Sequence, residues 1–391
     1  MKITLVTTSR ADYGLLYPLI LQLRQQAGFD TRLVATGGHL SLAQGETIRF
    51  IHEDGLPVTP VGEPLVGDGE QAVCQAIAAN LAAFSWHFQQ HRPDLLVVLG
   101  DRYELWSVCI AATVLKIPIA HLHGGETTVG AIDEVIRHSV TKMATFHFAS
   151  IPLYAHTILQ MGENPAHVHV VGALGIDNIL NMPRMETGEL SAYTGVDFSS
   201  GRVALMTYHP VTLDDHAEAG RQVEEVLAAL RQTDLFTLIT NPNADAGGEA
   251  IERVLVSTCQ LYPDRFRLVK SLGQRAYLSA MEQARVMIGN SSSGIIESAS
   301  FHLPVVNIGD RQGGRFKPGN IIDCSCTKEA ILVALERALS PDFICVMENP
   351  YGDGHAAERI AAILASLDLS DPSSLLKKRF HHWSTTDGMP P

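Results

Sequence analysis

The sequence contains few charged residues and none of the segments that would remove it from the class of globular proteins. Charged residues make up 18% of its 391 positions and hydrophobic residues 46%, and no low-complexity segment or internal repeat is present. No apolar run is long enough to span a bilayer, and no signal peptide precedes the first predicted strand. The net charge of −13 argues against a surface for nucleic acid or anionic membrane, although a local basic pocket could still bind phosphate. We therefore expect a cytoplasmic protein that binds neither nucleic acid nor membrane.

Cysteines are also scarce, and their spacing predicts neither a metal site nor a disulfide framework. The six are Cys74, Cys109, Cys259, Cys324, Cys326 and Cys345. Only Cys324 and Cys326 are close in sequence, and no second pair lies at the spacing of a zinc site. The patterns GxxxxGK[ST] and GxGxxG are absent, so neither a P-loop nor a standard dinucleotide-binding fold is supported. The sequence therefore predicts reduced thiols and no structural metal.

Apolar strands and amphipathic helices are predicted in strict alternation along the chain. Short apolar runs such as 2–7 and 95–99 have the composition of buried strands, and alternation with helices predicts parallel sheets covered on both faces. Periodicity is lost from 181 to 201 and then restarts. We therefore predict an α/β protein of two Rossmann-like doubly wound domains facing a cleft. The expected domains are 1–182 and 183–370, with the helices at 328–339 and 355–367 closing the second, and a tail at 371–391 packing back on the first.

Polar clusters follow seven of the predicted strands. They are TSRADYG (8–14), LGDRYE (99–104), HLHGGE (121–126), TYHPVT (207–212), TNPNADAGG (240–248), IGNSSSG (288–294) and NIGDRQGGR (307–315). Ligands of open α/β sheets bind beyond the carboxyl ends of the strands. The fold alone does not require polar residues at these places, so seven such clusters indicate a functional site.

The stretch GNSSSGIIESA, residues 289–299, is a candidate phosphate site. A predicted strand ends at Asn290, three serines follow, and the next helix is predicted to carry Glu297 in its second turn. A helix N-terminus exposes unpaired N–H groups, and Ser291 and Ser292 add hydroxyl donors, which together suit a phosphate. An ordinary helix cap is the alternative interpretation.

Three arginines at strand ends could complete an anion site. Arg311 and Arg315 follow one strand after the serines, and Arg10 follows the first strand of the chain. A guanidinium matches phosphate oxygens bidentately, whereas a surface position is the alternative for each arginine. We expect a nucleotide diphosphate held by serines, a helix end and arginines.

Acid–base residues are concentrated in the first predicted domain. Asp101 ends a strand with Arg102 beside it, and a structural salt bridge between those two is the alternative to a catalytic role. Asp133 and Arg137 are four residues apart and share a face of the next helix, where Asp133 could also serve only as a first-turn acid.

The stretch HLHGGE adds His121, His123 and Glu126, for which proton transfer, zinc binding and a purely structural loop are all open. On an extended strand His121 and His123 would point the same way, which suits a metal. No third ligand lies at a familiar spacing and HExxH is absent, so we favour a site without metal.

These motifs resemble the hydrolysing UDP-N-acetylglucosamine 2-epimerases of bacterial sialic acid synthesis and the epimerase half of the animal bifunctional enzyme. The shared segments, from Met1 to about Leu367, are RADYG, GDRYE, HLHGGE, AIDEVIRHSVTKMA, VGALGIDNIL, HPVT, NPNADAGG, IGNSSSGIIESASFHLPVVNIGDRQGGR and NPYGDG. Non-hydrolysing relatives read instead like GTRPE, HVEAGLR and DSGG. The resemblance implies a glycosyltransferase-B-like fold and a reaction that needs no metal or nicotinamide cofactor.

The resemblance also implies roles for individual residues. Asp101 and Asp133 match two functional acids, while the third family carboxylate falls on His123, which leaves that role to His123 or Glu126. His209 matches a cleft histidine that interacts with substrate, and we expect it among the catalytic residues with Asp101, His123, Glu126 and Asp133. The remaining expected substrate-binding residues are Arg10, Arg137, Asn243, Ser291, Ser292, Glu297 and Arg311.

The implied reaction eliminates UDP from UDP-N-acetylglucosamine through a 2-acetamidoglucal and adds water to give N-acetylmannosamine and UDP. The same reaction on UDP-2,4-diacetamido-2,4,6-trideoxyglucose, for legionaminic acid, is the alternative. Two further alternatives are a glycosyltransferase of the same fold and a nucleotide-sugar-binding protein that catalyses no reaction. A homodimer or homotetramer is expected from the resemblance alone.

Overall fold

The computed structural model describes residues 1–42, 45–67, 69–129, 132–210, 216–241, 248–343, 345 and 348–382. The chain divides into two compact units. Unit 1 comprises 1–126, 133–178 and 352–391, and unit 2 comprises 127–132 and 179–351. No helix of the described part is long and apolar enough to cross a bilayer.

Strands and helices alternate through both units. The strands are β1 (Lys2–Thr7), β2 (Asp30–Ala35), β3 (Val58–Pro60), β4 (Leu95–Leu99), β5 (Ile119–Leu122), β6 (Phe146–Ala149), β7 (Val168–Val170), β8 (Val203–Thr207), β9 (Phe236–Thr240), β10 (Phe266–Val269), β11 (Val286–Gly289), β12 (Val305–Ile308) and β13 (Ile321–Cys324). The helices are α1 (Arg10–Gln25), α2 (Ile48–Glu53), α3 (Glu70–Gln90), α4 (Glu104–Val114), α5 (Asp133–Met143), α6 (Pro152–Gln160), α7 (Leu174–Asn181), α8 (Thr187–Thr194), α9 (His216–Leu230), α10 (Gly248–Leu261), α11 (Gly273–Gln283), α12 (Ser292–Ile296), α13 (Lys328–Leu339), α14 (Ala356–Ser366) and α15 (Pro372–Leu375).

Unit 1 contains a parallel sheet in the order β3-β2-β1-β4-β5-β6-β7. Its central strand β4 is apolar along its whole length, and all five of its residues are buried, as expected for a parallel strand with both faces covered. Leu99 at the end of β4 pairs with Leu122 at the end of β5. The residues that follow these two strands, including Asp101 and His123, therefore emerge side by side at one edge of the sheet.

Unit 2 contains a second parallel sheet, in the order β10-β9-β8-β11-β12-β13. Gly289 at the end of β11 pairs with Thr207 of β8 and Asn307 of β12. A Cβ at Gly289, whose φ is 135°, would lie 1.9 Å from the carbonyl oxygen of Thr207, so only glycine fits this close approach. The segments that carry His209, the serines and Arg311 thus follow three neighbouring strands, β8, β11 and β12.

The boundary between the units differs from the expected 1–182 and 183–370, because α14 belongs to unit 1. Its buried residues Ile360, Ala361 and Leu364 join the apolar cluster around α1 and β1. The carboxylate of Asp177 accepts bonds from the first two N–H groups of the helix, at 3.0 and 2.7 Å. The predicted second domain therefore ends after α13, whose apolar face packs in unit 2.

The described part of the tail also lies on unit 1. The Nζ of Lys378 donates to the carbonyl oxygen of Lys142 at 2.8 Å and pairs with Glu163 at 2.6 Å. The Phe380 ring lies against Gly162, where a Cβ would approach it to 2.5 Å. Lys378 and Phe380 thus contact unit 1 at the end of α5 and just beyond α6.

Candidate functional site

The loop 121–126 begins with a histidine that has a structural role. His121 is buried, its Nε2–H donates to the carbonyl oxygen of Gly100 at 2.8 Å, and its Nδ1 lies 3.1 Å from the hydroxyl of Thr141. Burial lowers the pKa of His121 to about 3, so the ring is neutral at physiological pH. Both ring nitrogens of His121 are hydrogen bonded within the protein, so His121 is not placed to bind zinc. The described residues hold no group of three or more His, Cys, Asp or Glu side chains placed for a metal ion.

The chain turns sharply after β5, and this turn separates the two histidines of the loop. His123 has a φ of 62°, which is unusual for a residue with a side chain and marks local strain. Gly125 follows with a φ of 78°, and a Cβ there would lie 2.2 Å from the carbonyl oxygen of Tyr154. The expected extended arrangement, with His121 and His123 on one side of a strand, is therefore wrong.

His123 and Glu126 form a hydrogen-bonded acid–base pair. The Nδ1 of His123 lies 2.9 Å from Oε1 of Glu126, and the N–H of Leu174 donates to Nε2 at 3.4 Å. Because Nε2 accepts, Nδ1 carries the proton and donates it to Glu126. The hydroxyl of Ser150 also donates to Oε1 of Glu126 at 3.2 Å. A carboxylate that orients an imidazole in this way is a typical arrangement for proton transfer.

Arg137 joins this pair to Asp101. Its guanidinium is 1% exposed, forms an ion pair with Asp101, and donates at 2.8 Å to the carbonyl oxygen of Glu126 and to Glu134. Burial acts to lower the pKa of Arg137, but the nearby Asp101, Glu126 and Glu134 raise it, so the cation is retained.

Two sequence-based interpretations change as a result. Arg137 was expected to bind substrate, but its buried guanidinium is directed at the protein's own acids, and we interpret it as a positioning residue. The alternative for Asp101 was a structural salt bridge with Arg102, but the ion pair observed for Asp101 is with Arg137, and Arg102 pairs with Glu104 at 3.3 Å. Asp101 is 25% exposed at its side chain and remains accessible from one side.

Two further predicted residues of unit 1 lie at helix starts. Asp133 is the first residue of α5 and is partly exposed, where a carboxylate is favoured by the helix dipole. Arg10 is the first residue of α1, and its guanidinium stacks at 4.1 Å on the ring of Phe50. Stacking of this kind restrains the orientation of the guanidinium.

In unit 2, the side-chain amide of Asn290 holds the backbone of His209. Its Oδ1 accepts from the N–H of His209 at 2.7 Å, and its Nδ2 donates to the carbonyl oxygen of His209 at 2.8 Å. Burial and the neighbouring Arg311 lower the pKa of His209 to about 3. His209 is therefore a neutral hydrogen-bonding group at physiological pH, suited to contacting a substrate and unsuited to donating a proton as an imidazolium.

The serine stretch forms a shorter helix than the sequence predicts. The helix α12 has only five residues, and Glu297 lies at its end, outside a second turn. Ser291 caps the helix by accepting from the N–H of Ser293, and the hydroxyl of Tyr277 lies 2.6 Å from that of Ser293. Hydroxyl and backbone N–H donors must therefore supply most of any anion binding here, since so short a helix has little dipole. Ser292, the first residue of α12, is partly exposed.

Two ionisable residues flank this stretch. Burial raises the pKa of Glu297 to about 7, so its carboxylate titrates near neutrality. Arg311 and Gln312 both donate to the carbonyl oxygen of Asn290, at 3.2 and 2.8 Å. The predicted residues His209, Ser291 and Arg311 are thus joined through Asn290, which sequence reasoning did not single out although it ends the quoted strand.

A cavity of about 670 Å³ opens beside Arg311, and Tyr208, Lys317 and Asp323 also line it. Ser291 and Glu297 are not among its lining residues. The predicted residue Asn243 lies outside the described residues.

Comparisons with known proteins identify the family and the fold. The family model described as UDP-N-acetylglucosamine 2-epimerase matches residues 21–365. The UDP-N,N'-diacetylbacillosamine 2-epimerase (hydrolyzing) of Legionella pneumophila is 35% identical over 96% of this chain and 98% of its own. The GDP/UDP-N,N'-diacetylbacillosamine 2-epimerase (hydrolyzing) of Campylobacter jejuni is 38% identical over 82% and 84%. The structure of MnaA from S. aureus with UDP covers 98% of this chain and all of its own at a TM-score of 0.77 and 19% identity. This last likeness confirms the predicted fold of two Rossmann-like domains of the glycosyltransferase-B-like class.

Proposed function

The chain belongs to the UDP-N-acetylglucosamine 2-epimerase family, and on that premise we propose that it is a hydrolysing UDP-sugar 2-epimerase. The observation that carries the proposal is the network of Asp101, His123, Glu126 and Arg137 at one sheet edge of unit 1. This network supplies proton donors and acceptors that a protein that only binds nucleotide sugars does not need.

The favoured substrate is UDP-N,N'-diacetylbacillosamine, a UDP-2,4-diacetamido-2,4,6-trideoxyglucose. The support is the activity for which the Legionella and Campylobacter relatives are named, since they share 35% and 38% of their aligned residues with this chain. UDP-N-acetylglucosamine is the second candidate and is supported by the description of the family model. The two differ at C4 and C6 of the sugar, so the chemistry at C1 and C2 is the same for both.

In the first step, a base removes the proton from C2 while the bond between C1 and the bridging oxygen breaks. The electron pair of that bond leaves with UDP, and a double bond forms between C1 and C2. We propose that Arg311, with Ser291 and Ser292, stabilises the departing diphosphate, because charge-assisted bonds strengthen as the negative charge develops. Arg10 and Asn243 are proposed as further nucleotide contacts, and Glu297 as the acceptor for a ribose hydroxyl.

In the second step, water adds to the 2-acetamidoglucal. The water oxygen bonds to C1 and gives a proton to a base. C2 receives a proton from an acid on the face opposite the one from which its proton was removed in the first step, and this inverts the configuration at C2. We propose that His123 with Glu126 carries one of these proton transfers, since the pair is already hydrogen bonded. Asp101, oriented by Arg137, and Asp133 are proposed for the others.

The proposal is tested by incubating the purified protein with each UDP-sugar in D₂O and following the products by NMR. Elimination and hydration predict a free sugar with deuterium at C2 and inverted configuration, together with UDP that retains an ¹⁸O label from the bridging position. No acceptor sugar is required, which separates the reaction from glycosyl transfer. Protium at C2 with unchanged configuration would mean simple glycosyl hydrolysis, and binding without turnover would mean a non-catalytic protein.

A further inference from the structure

A short stretch of chain between two acid–base residues is packed on unit 2. Residues 127–132 belong to unit 2, whereas Glu126 before them and Asp133 after them belong to unit 1. We name the described residues Thr127–Val129 the crossing segment. Because a single peptide bond joins Thr127 to Glu126, the placement of the crossing segment on unit 2 restrains the position of Glu126.

Arg315 holds the crossing segment by its backbone and side chain. Its Nε donates to the carbonyl oxygen of Thr127 at 3.2 Å, and its Nη2 donates to the hydroxyl of Thr128 at 3.4 Å. Thr128 is buried. From the sequence, Arg315 could be either a phosphate contact or a surface residue. In the structure, its Nε and Nη2 both donate to residues of the protein itself.

Two glycines allow this close approach. A Cβ at Gly314, whose φ is 77°, would lie 2.6 Å from Cγ2 of Thr127. A Cβ at Gly313 would lie 3.3 Å from side-chain atoms of Val129. The loop therefore contacts three successive residues of the crossing segment, so the interaction does not depend on a single hydrogen bond.

The same loop carries the proposed diphosphate contact. Arg311 and Gln312 donate to the carbonyl oxygen of Asn290, which in turn holds His209. Only four positions separate Arg311 from Arg315. A ligand that immobilises the start of this loop also restrains its end, and with it the crossing segment.

We propose that Arg315 is a positioning residue that couples diphosphate binding at Arg311 to the placement of Glu126. This inference rests on the proposed function, because it gives that chemistry a dependence on the bound nucleotide. Diphosphate on Arg311 fixes the loop 311–315, the loop fixes the crossing segment, and Glu126 is then held where it orients His123. Proton transfer is fastest while UDP or its ester occupies unit 2.

The test compares Arg315→Ala with Arg315→Lys, Arg311→Ala and the control Arg285→Ala. Arg285 also donates to a backbone carbonyl of unit 2, that of Leu339, so its loss removes a bond of the same kind elsewhere. For Arg315→Ala we expect UDP affinity within about threefold of wild type and a kcat about tenfold or more lower, as for an interaction that matters in the transition state. Arg315→Lys should restore part of kcat, because Nζ can replace one of the two donors.

Amide hydrogen exchange supplies the readout that a merely structural role would not change. UDP should slow exchange at 123–129 in wild type and in Arg285→Ala, and leave it unchanged in Arg315→Ala. An affinity loss equal to that of Arg311→Ala with kcat unchanged would identify Arg315 as a direct phosphate ligand and overturn the proposal. Wild-type kcat in Arg315→Ala, or UDP-dependent protection that survives in it, would also overturn it. Failure of wild-type protein to bind UDP at all would instead refute the proposed function.

Discussion

Glu297 gives a pH-dependent test of the proposed nucleotide site. Burial raises the pKa of this carboxyl to about 7, whereas an ordinary glutamate is ionised throughout the neutral range. If the ionised carboxylate accepts a bond from a ribose hydroxyl, affinity must rise as pH rises through this pKa and fall below it. The sign follows because protonation removes one of the oxygen lone pairs that accepts the bond and replaces it with a donor.

The size of the effect follows from the fraction ionised. With a pKa of about 7, roughly nine-tenths of the carboxyl is ionised at pH 8 and roughly one-tenth at pH 6. When only the ionised form binds well, the dissociation constant should increase about tenfold between pH 8 and pH 6. His209 does not contribute in this range, since its pKa of about 3 keeps it neutral throughout.

The assay is calorimetric titration of Asp101→Asn with the UDP-sugar at half-unit steps between pH 6 and pH 8. The sugar diester is used because free UDP titrates its own terminal phosphate in this range. Glu297→Gln in the same Asp101→Asn background is the matched control, and its affinity should be lower than that of Asp101→Asn alone at pH 8 and independent of pH. An affinity of Asp101→Asn that does not change between pH 6 and pH 8, or the same pH dependence after Glu297→Gln is added, would refute the assignment of Glu297 to the ribose.

The remaining predictions concern the anion site, the loop and metal dependence. Arg311→Ala should weaken UDP binding about ten- to a hundredfold, from the loss of a charge-assisted bond of about 1.5–3 kcal/mol, while Asp101→Asn should lower turnover and leave UDP affinity nearly unchanged. Equal loss of affinity in both variants would contradict this division of roles. Gly125→Ala should lower the melting temperature markedly, because its Cβ would lie 2.2 Å from the carbonyl oxygen of Tyr154. Gly188→Ala is the control, since no atom lies within 4 Å of a Cβ there, and equal melting temperatures of the two variants would disprove the steric argument. Activity should survive exhaustive EDTA treatment, and a loss restored by zinc would support a metal site instead.

Much of the fold could be read from local patterns. Runs such as β4 and β11 are apolar enough to be recognised as buried strands, and strict alternation with helices predicts parallel sheets. Two short strands, β3 and β13, were not predicted, because three- and four-residue edge strands with exposed positions give little periodicity. The helix α8 lies where periodicity is lost, since of its eight residues only Leu190 and Thr194 are buried.

The sequence by itself determined which polar residues follow the strand ends, and so many of the residues proposed for the candidate site. Asp101, His123 and Arg311 could be named because parallel strands end at one edge and polar residues there are recognisable from local composition. The tertiary structure decided their partners. Arg137 meets Asp101 across 36 residues of sequence, and α14 packs in unit 1 although it follows unit 2 in the chain. Periodicity is a property of neighbouring residues, whereas a hydrogen-bond or packing partner is selected by burial between segments far apart in the chain, which no local pattern contains.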